Sequence, residues 1–138
     1  MSWKDKMAEW GGGEVSFLSE DGECIVFVVA GEPQLLESKY KNQTTERIAA
    51  PLITDDGFTL LIMGKRLARK LSKHEADFGK HAFIAVRHGE ERDINTTYEL
   101  TVLDDPERTK KLFEILARDF NPTQVDEAIE AAKDIMSS

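Results

Sequence analysis

The chain has 138 residues, of which 41% are hydrophobic and 32% charged, the composition of an ordinary folded domain that buries its own core. Its single cysteine, Cys24, excludes an internal disulfide and a multi-cysteine zinc site, and no stretch approaches the ~20 apolar residues of a membrane span. Residues 1–5 do not resemble a signal peptide, so we expect a reducing, cytoplasmic location.

The net charge of −8 disfavours a polyanionic ligand for the molecule as a whole. Residues 65–92 depart from that average, because they hold eight Lys or Arg against four Asp or Glu, together with all three histidines. A ligand responds to the local potential and not to the total charge. This segment is therefore either a solvated basic face or a binding surface.

Residues 1–12 are predicted to form an N-terminal arm. Trp3, Met7 and Trp10 recur at helical spacing, and Gly11-Gly12-Gly13 ends any helix. We expect the arm to pack over the rest of the domain, and the alternative is an aromatic arm that grips a ligand.

A series of strands is predicted after the arm, since apolar and β-branched runs alternate there with turn residues. The predicted strands cover 14–18, 24–30, 34–39, 45–53 and 58–63, and 34–39 with 45–53 form either a hairpin or one long bent strand. Asp55-Asp56-Gly57 is a strong hairpin signal, because glycine adopts a positive φ without a steric penalty.

The apolar period changes at Gly64. Leu67, Ala68 and Leu71 predict an amphipathic helix over 64–75 with a basic outer surface. Two further strands, 80–88 and 94–103, enclose a turn at 89–93. This order predicts a mainly β protein in which residues 13–104 form a five-stranded OB-type barrel with a helix between strands 3 and 4.

Residues 105–138 are predicted to form a C-terminal helical hairpin. Asp105 is placed to cap a helix that begins at Pro106, and Asn121-Pro122-Thr123-Gln124 repeats the cap with a capping-box glutamine. Each helix carries an apolar stripe that has to be buried on the barrel, on a second copy of the chain or on another protein. A homodimer or a protein partner bound through this hairpin is therefore an open prediction.

Catalytic motifs are missing from the sequence. It contains no phosphate-binding G-x-x-x-x-G-K-[ST], no G-x-S-x-G and no H-E-x-x-H. His74, His81 and His88 recur every seven residues, but an odd separation places the last two on opposite faces of the predicted strand. We therefore expect no enzymatic activity, no cofactor and no metal.

Residues suited to nucleic-acid binding are better supplied. OB folds bind single strands with cations along a groove and with aromatic rings that stack on bases, at about 1–3 kcal/mol per base. The loop between the last two strands is one that OB folds use for oligonucleotides. The alternative is a core position for Tyr98 and a solvated face for the helix cations. The predicted nucleic-acid-binding residues are Lys39, Tyr40, Lys41, Arg47, Lys65, Arg66, Arg87, Arg92 and Tyr98.

Five short motifs occur in order along the chain: Asp21-Gly22-Glu23, Gly31-Glu32-Pro33, Leu-x-Met-Gly-Lys at 61–65, Phe83-x-x-x-Arg87-x-Gly89, and Asp93-Ile94-Asn95-Thr96-Thr97-Tyr98. Together they resemble the single-stranded DNA-binding proteins of tailed bacteriophages, over residues 13–103. The resemblance implies an OB-fold that coats single-stranded DNA during replication or recombination without sequence preference. It also implies binding roles for Arg87, Tyr98 and the strand that contains Tyr40.

The chain departs from that family in two places. Many relatives carry a cysteine-bearing insertion suited to zinc, whereas residues 42–45 here contain no cysteine. Relatives also tend to end in a flexible acidic tail that recruits replication partners, whereas this chain ends in the hairpin at 105–138. Our first hypothesis is sequence-independent binding of single-stranded DNA, in the host cytoplasm if the chain is viral. The alternatives are RNA binding and a protein–protein adaptor built on the barrel and the hairpin.

Overall fold

A computed structural model of the chain describes residues 15–18, 20–40, 43–90 and 95–137, and the predicted arm at 1–12 lies outside them. The strands are β1 (Val15–Phe17), β2 (Cys24–Val29), β3 (Gln34–Tyr40), β4 (Gln43–Thr54), β5 (Gly57–Met63), β6 (Phe83–His88) and β7 (Thr97–Val102). The helices are α1 (Lys65–Ser72), α2 (Pro106–Asp119) and α3 (Pro122–Ser137). None of the helices in the described ranges is long and apolar enough to cross a membrane. The order of elements confirms a mainly β chain with a helix after β5 and two helices at the end.

All seven strands belong to one open, mixed sheet in the order β1-β5-β4-β2-β6-β7, with β3 paired to β4 beside β2. β1 runs parallel to β5, and the other pairs are antiparallel. β2 pairs with β4 through Val28 and Val29 and with β6 through residues 24–27, so it joins two parts of the sheet. Each of the seven predicted strand segments contains a strand, but together they form an open seven-stranded sheet and not a closed five-stranded barrel.

Pro51 lies in the middle of β4, where a residue normally donates its backbone N–H to a neighbouring strand. It is tolerated because the neighbour of β4 changes at this point, from β2 opposite Leu52 to β3 opposite Ala49. The carbonyl of Pro51 accepts a hydrogen bond from the backbone N–H of Ala30 at 2.9 Å. The proline therefore marks the bend of the sheet.

The central strands are buried on both faces. Leu52 and Leu61 belong to an inner core that packs against α1, whereas their neighbours Ile53 and Leu60 belong to an outer core that packs against α2 and α3. All four side chains are at most 1% exposed. Because successive side chains of a strand point to opposite faces, two-sided burial produces the continuous apolar runs seen in the sequence.

The C-terminal hairpin packs on the sheet of its own chain, with both predicted caps in place. Asp105 accepts a hydrogen bond from the backbone N–H of Arg108 at 3.1 Å. Gln124 accepts one from the backbone N–H of Asn121 at 3.2 Å, as a capping box requires. The apolar stripes of the two helices supply Leu112, Ala128, Ile129 and Ala132 to the outer core. We expected the apolar stripes to be buried on the barrel, on a second copy or on another protein. In the structure they are buried on the sheet of the same chain.

Candidate nucleic-acid interface

Four of the nine predicted binding residues meet in one depression of about 430 Å³, which we call the basic cleft. They are Arg47, Lys65, Arg66 and Tyr98. The first half of β4, the start of α1 and the start of β7 with the residue before it form its walls, so three distant segments of the chain contribute. Its remaining lining residues are Thr44, Glu46, Gly64 and Thr96.

Two of the three cations of the cleft begin α1. Gly64 is the extended N-cap of α1, and Lys65 and Arg66 begin the first turn, which contains no acidic residue. Both side chains are exposed, as is that of Arg47 in the first half of β4. The first turn of a helix also presents free backbone N–H groups and the positive end of the macrodipole. Cations and N–H groups together make this wall of the cleft favourable for an anion.

Glu46 is the acid of the cleft, and its carboxylate lies 2.9 Å from the ammonium group of Lys65. The two side chains are 35% and 49% exposed, so this is a surface ion pair. The hydrogen bond from Lys65 lowers the pKa of Glu46 below its ordinary value, and the charge of Lys65 adds to that effect. At neutral pH, Glu46 is therefore charged, and it pairs with the ammonium group of Lys65 in place of another anion.

Arg87 does not line the cleft, contrary to our prediction, because its side chain is buried at 9% exposure. It follows Phe83 and Ala85 on the buried face of β6. Its guanidinium group donates five hydrogen bonds of 2.9–3.2 Å. The acceptors are the carbonyls of Leu18, Gly89 and Glu90, the hydroxyl of Tyr98 and Oγ1 of Thr96. Arg87 therefore organises the loop beside the cleft, and its guanidinium donors are used within the protein.

Tyr98 forms part of the floor of the cleft and is held in place from two sides. Its hydroxyl accepts a hydrogen bond from Arg87 at 3.0 Å, and its carbonyl accepts one from the ammonium group of Lys70 at 2.7 Å. The ring packs against the inner core and is half-buried. The core position that we weighed for Tyr98 and its place in the cleft thus both apply, because the residue packs against the inner core and also lines the cleft. The guanidinium carbon of Arg87 lies 5.9 Å from the centroid of the ring.

The loop between β6 and β7 is tightly shaped next to the cleft. Gly89 has a φ of 139°, and a Cβ atom there would lie 2.7 Å from Oγ1 of Thr96. Its backbone N–H donates to Asp21 at 2.9 Å. These contacts and those of Arg87 position Thr96 and Tyr98 against α1.

The other four predicted residues cannot be placed in the cleft by their side chains. Lys41 and Arg92 lie outside the described residues, as do the side chains of Lys39 and Tyr40. The backbone of β3 is described, and its register pairs Lys39 with Thr44, which lines the cleft. The β3–β4 hairpin, to which Lys39 and Tyr40 belong, therefore adjoins the cleft.

The sequence analysis missed Glu46 and misplaced Arg87, although signals for both were present. The alternation of β6 puts Arg87 on the face of Phe83, so burial of that phenylalanine implied burial of the arginine. Glu46 adjoins Arg47, but its pairing with Lys65 depends on the approach of α1 to β4. Among the residues that the structure describes, no group of three His, Cys, Asp or Glu is arranged to hold a metal ion.

We compared the chain with protein families, curated proteins and solved structures. No family model, no curated protein and no solved structure matches the chain.

Proposed function

We propose that this protein is an OB-type domain that binds single-stranded DNA without sequence preference, with the basic cleft as its binding site. The observation that carries the proposal is the convergence of Arg47, Lys65, Arg66 and the ring of Tyr98 in one depression. Cations that contact phosphates, combined with a ring for a base, are the two components of single-strand binding. The proposed role of this binding is in DNA replication or recombination.

The connectivity of the sheet supports the OB assignment. If β2 and β3 are taken as one strand bent at 30–33, the strands that follow are β4, β5, β6 and β7, and α1 lies between the third and the fourth. An OB-fold is a partly open barrel with five strands, which is compatible with an open sheet. β1, parallel to β5, is then an addition to that plan.

The position of the cleft agrees with the loops that OB-folds use. Oligonucleotides bind to the face of strands 2 and 3 and to the loops 1–2 and 4–5. In this chain those loops are the β3–β4 and β6–β7 connections, and Thr44 and Thr96 beside them both line the cleft. The outer face of β4 and β5 is covered by α2 and α3. We therefore assign the ligand to the space between the two loops.

Local charge supports the same assignment in spite of the net charge of −8. The cleft holds three cations and one acid, and exposed Arg69 and Lys70 of α1 and Lys73 at its C-cap follow. A phosphate chain that enters the cleft meets this potential, which decides encounter and affinity. The ligand contacts are to phosphates and a ring face, which carry no sequence information.

The test is a titration of labelled oligo-dT, followed by fluorescence anisotropy, at about 50 mM and 200 mM salt. Three phosphate contacts predict a loss of affinity of roughly 20-fold between these conditions, since the slope for single strands is about −0.7 per contact. The double variant Arg47→Ala/Arg66→Ala should bind roughly tenfold more weakly and lower the slope by about 1.4. A parallel titration with oligo-rU measures the preference for DNA over RNA.

The double variant Lys111→Ala/Arg118→Ala is the matched control. It removes the same number of charges from exposed positions of α2, outside the cleft. Its affinity should stay within about twofold of the unmodified protein, because contacts and not net charge determine the binding. Equal losses in the two double variants, or no binding at the lower salt concentration, would refute the proposal and favour the protein–protein adaptor.

Glu46→Gln should strengthen the binding of oligo-dT by roughly two- to fivefold, and steepen the salt slope by about 0.7. The substitution removes the only acid that lines the cleft in the described residues, and it frees the ammonium group of Lys65 for a phosphate. Glu130→Gln is the control, since Glu130 pairs with Lys133 on α3, at 3.6 Å and away from the cleft. Equal affinities for the two glutamine variants would show that Lys65 is not a phosphate contact.

A further inference from the structure

A second depression, of about 640 Å³ and unlike the cleft in character, lies where the sheet bends between α1 and α2. We call it the apolar groove. Its walls include Ile48, Ala50, Met63, Leu71, Phe78 and Phe113. These side chains come from β4, β5, α1, the segment after α1, and α2, so the groove is a product of the tertiary packing. A concave apolar surface of this volume is suited to large apolar side chains.

The mouth of the groove is acidic. Glu32 and Glu75 line it, and both are exposed. Neither forms an ion pair with another residue in the part of the chain that the structure describes. The groove therefore fits an occupant that combines large apolar side chains with positive charge.

Residues 1–10 of the same chain have this chemistry. Trp3, Met7 and Trp10 share one stripe at helical spacing. In such a helix Lys4 and Lys6 flank this stripe, whereas the two acids of the segment, Asp5 and Glu9, fall on the opposite side. Both tryptophans of the protein belong to this segment. A buried indole ring removes about 150–250 Å² of surface from water. Burial of both rings in a groove would therefore stabilise the docked segment strongly.

The length and entry point of the segment allow it to reach the groove. Val15, where β1 begins, pairs with Leu60, and β1 then runs parallel to β5 toward Met63 in the groove wall. The preceding residues must therefore reverse direction to meet the groove. Gly11-Gly12-Gly13 permits such a reversal. With the stripe residues in a helix, the linker at 11–14 spans up to roughly 13 Å, which exceeds the roughly 10 Å of β5 from Leu60 to Met63.

We propose that residues 1–10 fold back on their own chain and dock Trp3, Met7 and Trp10 in the apolar groove, with Lys4 and Lys6 facing Glu32 and Glu75. This inference does not rest on the proposed function. Because the segment is covalently attached, its effective concentration at the groove is in the millimolar range, which favours it over a separate ligand of equal affinity.

Intrinsic tryptophan fluorescence tests this inference directly, because Trp3 and Trp10 are the only tryptophans and both lie in the segment. The emission of the full chain should be shifted to the blue of free N-acetyltryptophanamide and protected from iodide quenching. Ala68→Glu, which places a carboxylate at a half-buried position of α1 in the groove wall, should remove both effects. Ala117→Glu, the same change at an exposed position of α2 outside the groove, should preserve them.

A second variant keeps the test decisive if Ala68→Glu disturbs folding. Deletion of residues 1–12 should leave the far-UV circular dichroism of the sheet and helices intact and increase the binding of ANS to the vacated groove. Emission that matches free tryptophan, or protection that survives Ala68→Glu in a folded protein, overturns the proposal. Protection that rises with protein concentration also overturns it, because the segment then occupies the groove of a second copy.

Discussion

Arg87→Met is expected to lower the free energy of unfolding by about 2–4 kcal/mol. The guanidinium group is the common donor for five acceptors, on the residue after β1, on β7 and on the β6–β7 loop. Methionine fills part of the volume but leaves those acceptors without their donor at a site that is 9% exposed in the native protein. Urea denaturation should show a lower midpoint with an unchanged m-value.

Two further variants separate the hydrogen bonds of Arg87 from its charge and its length. Arg87→Lys keeps the positive charge but offers at most three donors from one nitrogen, so an intermediate loss is expected. Arg69→Met, at an exposed position of α1, should change the stability by no more than about 0.5 kcal/mol. A midpoint for Arg87→Met equal to that of Arg69→Met would show that the hydrogen bonds of Arg87 contribute nothing to stability.

Leu112→Ala is expected to cost about 2–5 kcal/mol. Leu112 is 0% exposed on α2, and it belongs to the outer core with Val28, Ile53 and Leu60 of the sheet. The truncation removes apolar contacts and leaves a cavity between the helix and the sheet, and a rigid sheet collapses into it only in part. The loss should appear in thermal or urea unfolding followed at a helix-sensitive wavelength.

The same experiment decides whether the C-terminal hairpin and the sheet unfold together. A shared core predicts one cooperative transition, shifted as a whole by Leu112→Ala. Lys111→Ala, at the exposed neighbouring position, is the control and should leave the midpoint almost unchanged. Two separate transitions, with only the first one shifted, would show that the hairpin is an independent appendage.

The features that the sequence predicted correctly depend on a few neighbouring residues. The hairpin turn at Asp55-Asp56-Gly57 forms, with a φ of 107° at Gly57, and the caps at Asp105 and Asn121 form their hydrogen bonds. α1 occupies Lys65–Ser72 inside the predicted range of 64–75. Turns and helix caps can be predicted from sequence because their backbone dihedrals and hydrogen bonds depend on residues only a few positions apart.

The lining of the basic cleft could be predicted only in part. Charge identified Arg47, Lys65 and Arg66, because Lys and Arg side chains almost always remain in solvent however the elements pack. These residues meet Tyr98 only because β7 packs close to α1. The hydrogen bond from Lys70 of α1 to the carbonyl of Tyr98 is one contact between the two elements. No local pattern encodes that approach.

By itself, the sequence determined the mainly β character, the helix after β5 and the capped C-terminal hairpin, since periodicity and capping act over short distances. Only the tertiary structure decided that β1 joins β5 in parallel, that β2 divides its pairing between β4 and β6, and that Arg87 is buried while Glu46 binds Lys65. Each of these outcomes joins segments that are far apart in the chain. The free energy of such pairings comes from burying apolar surface on both faces of the sheet, which is a property of the whole packed domain.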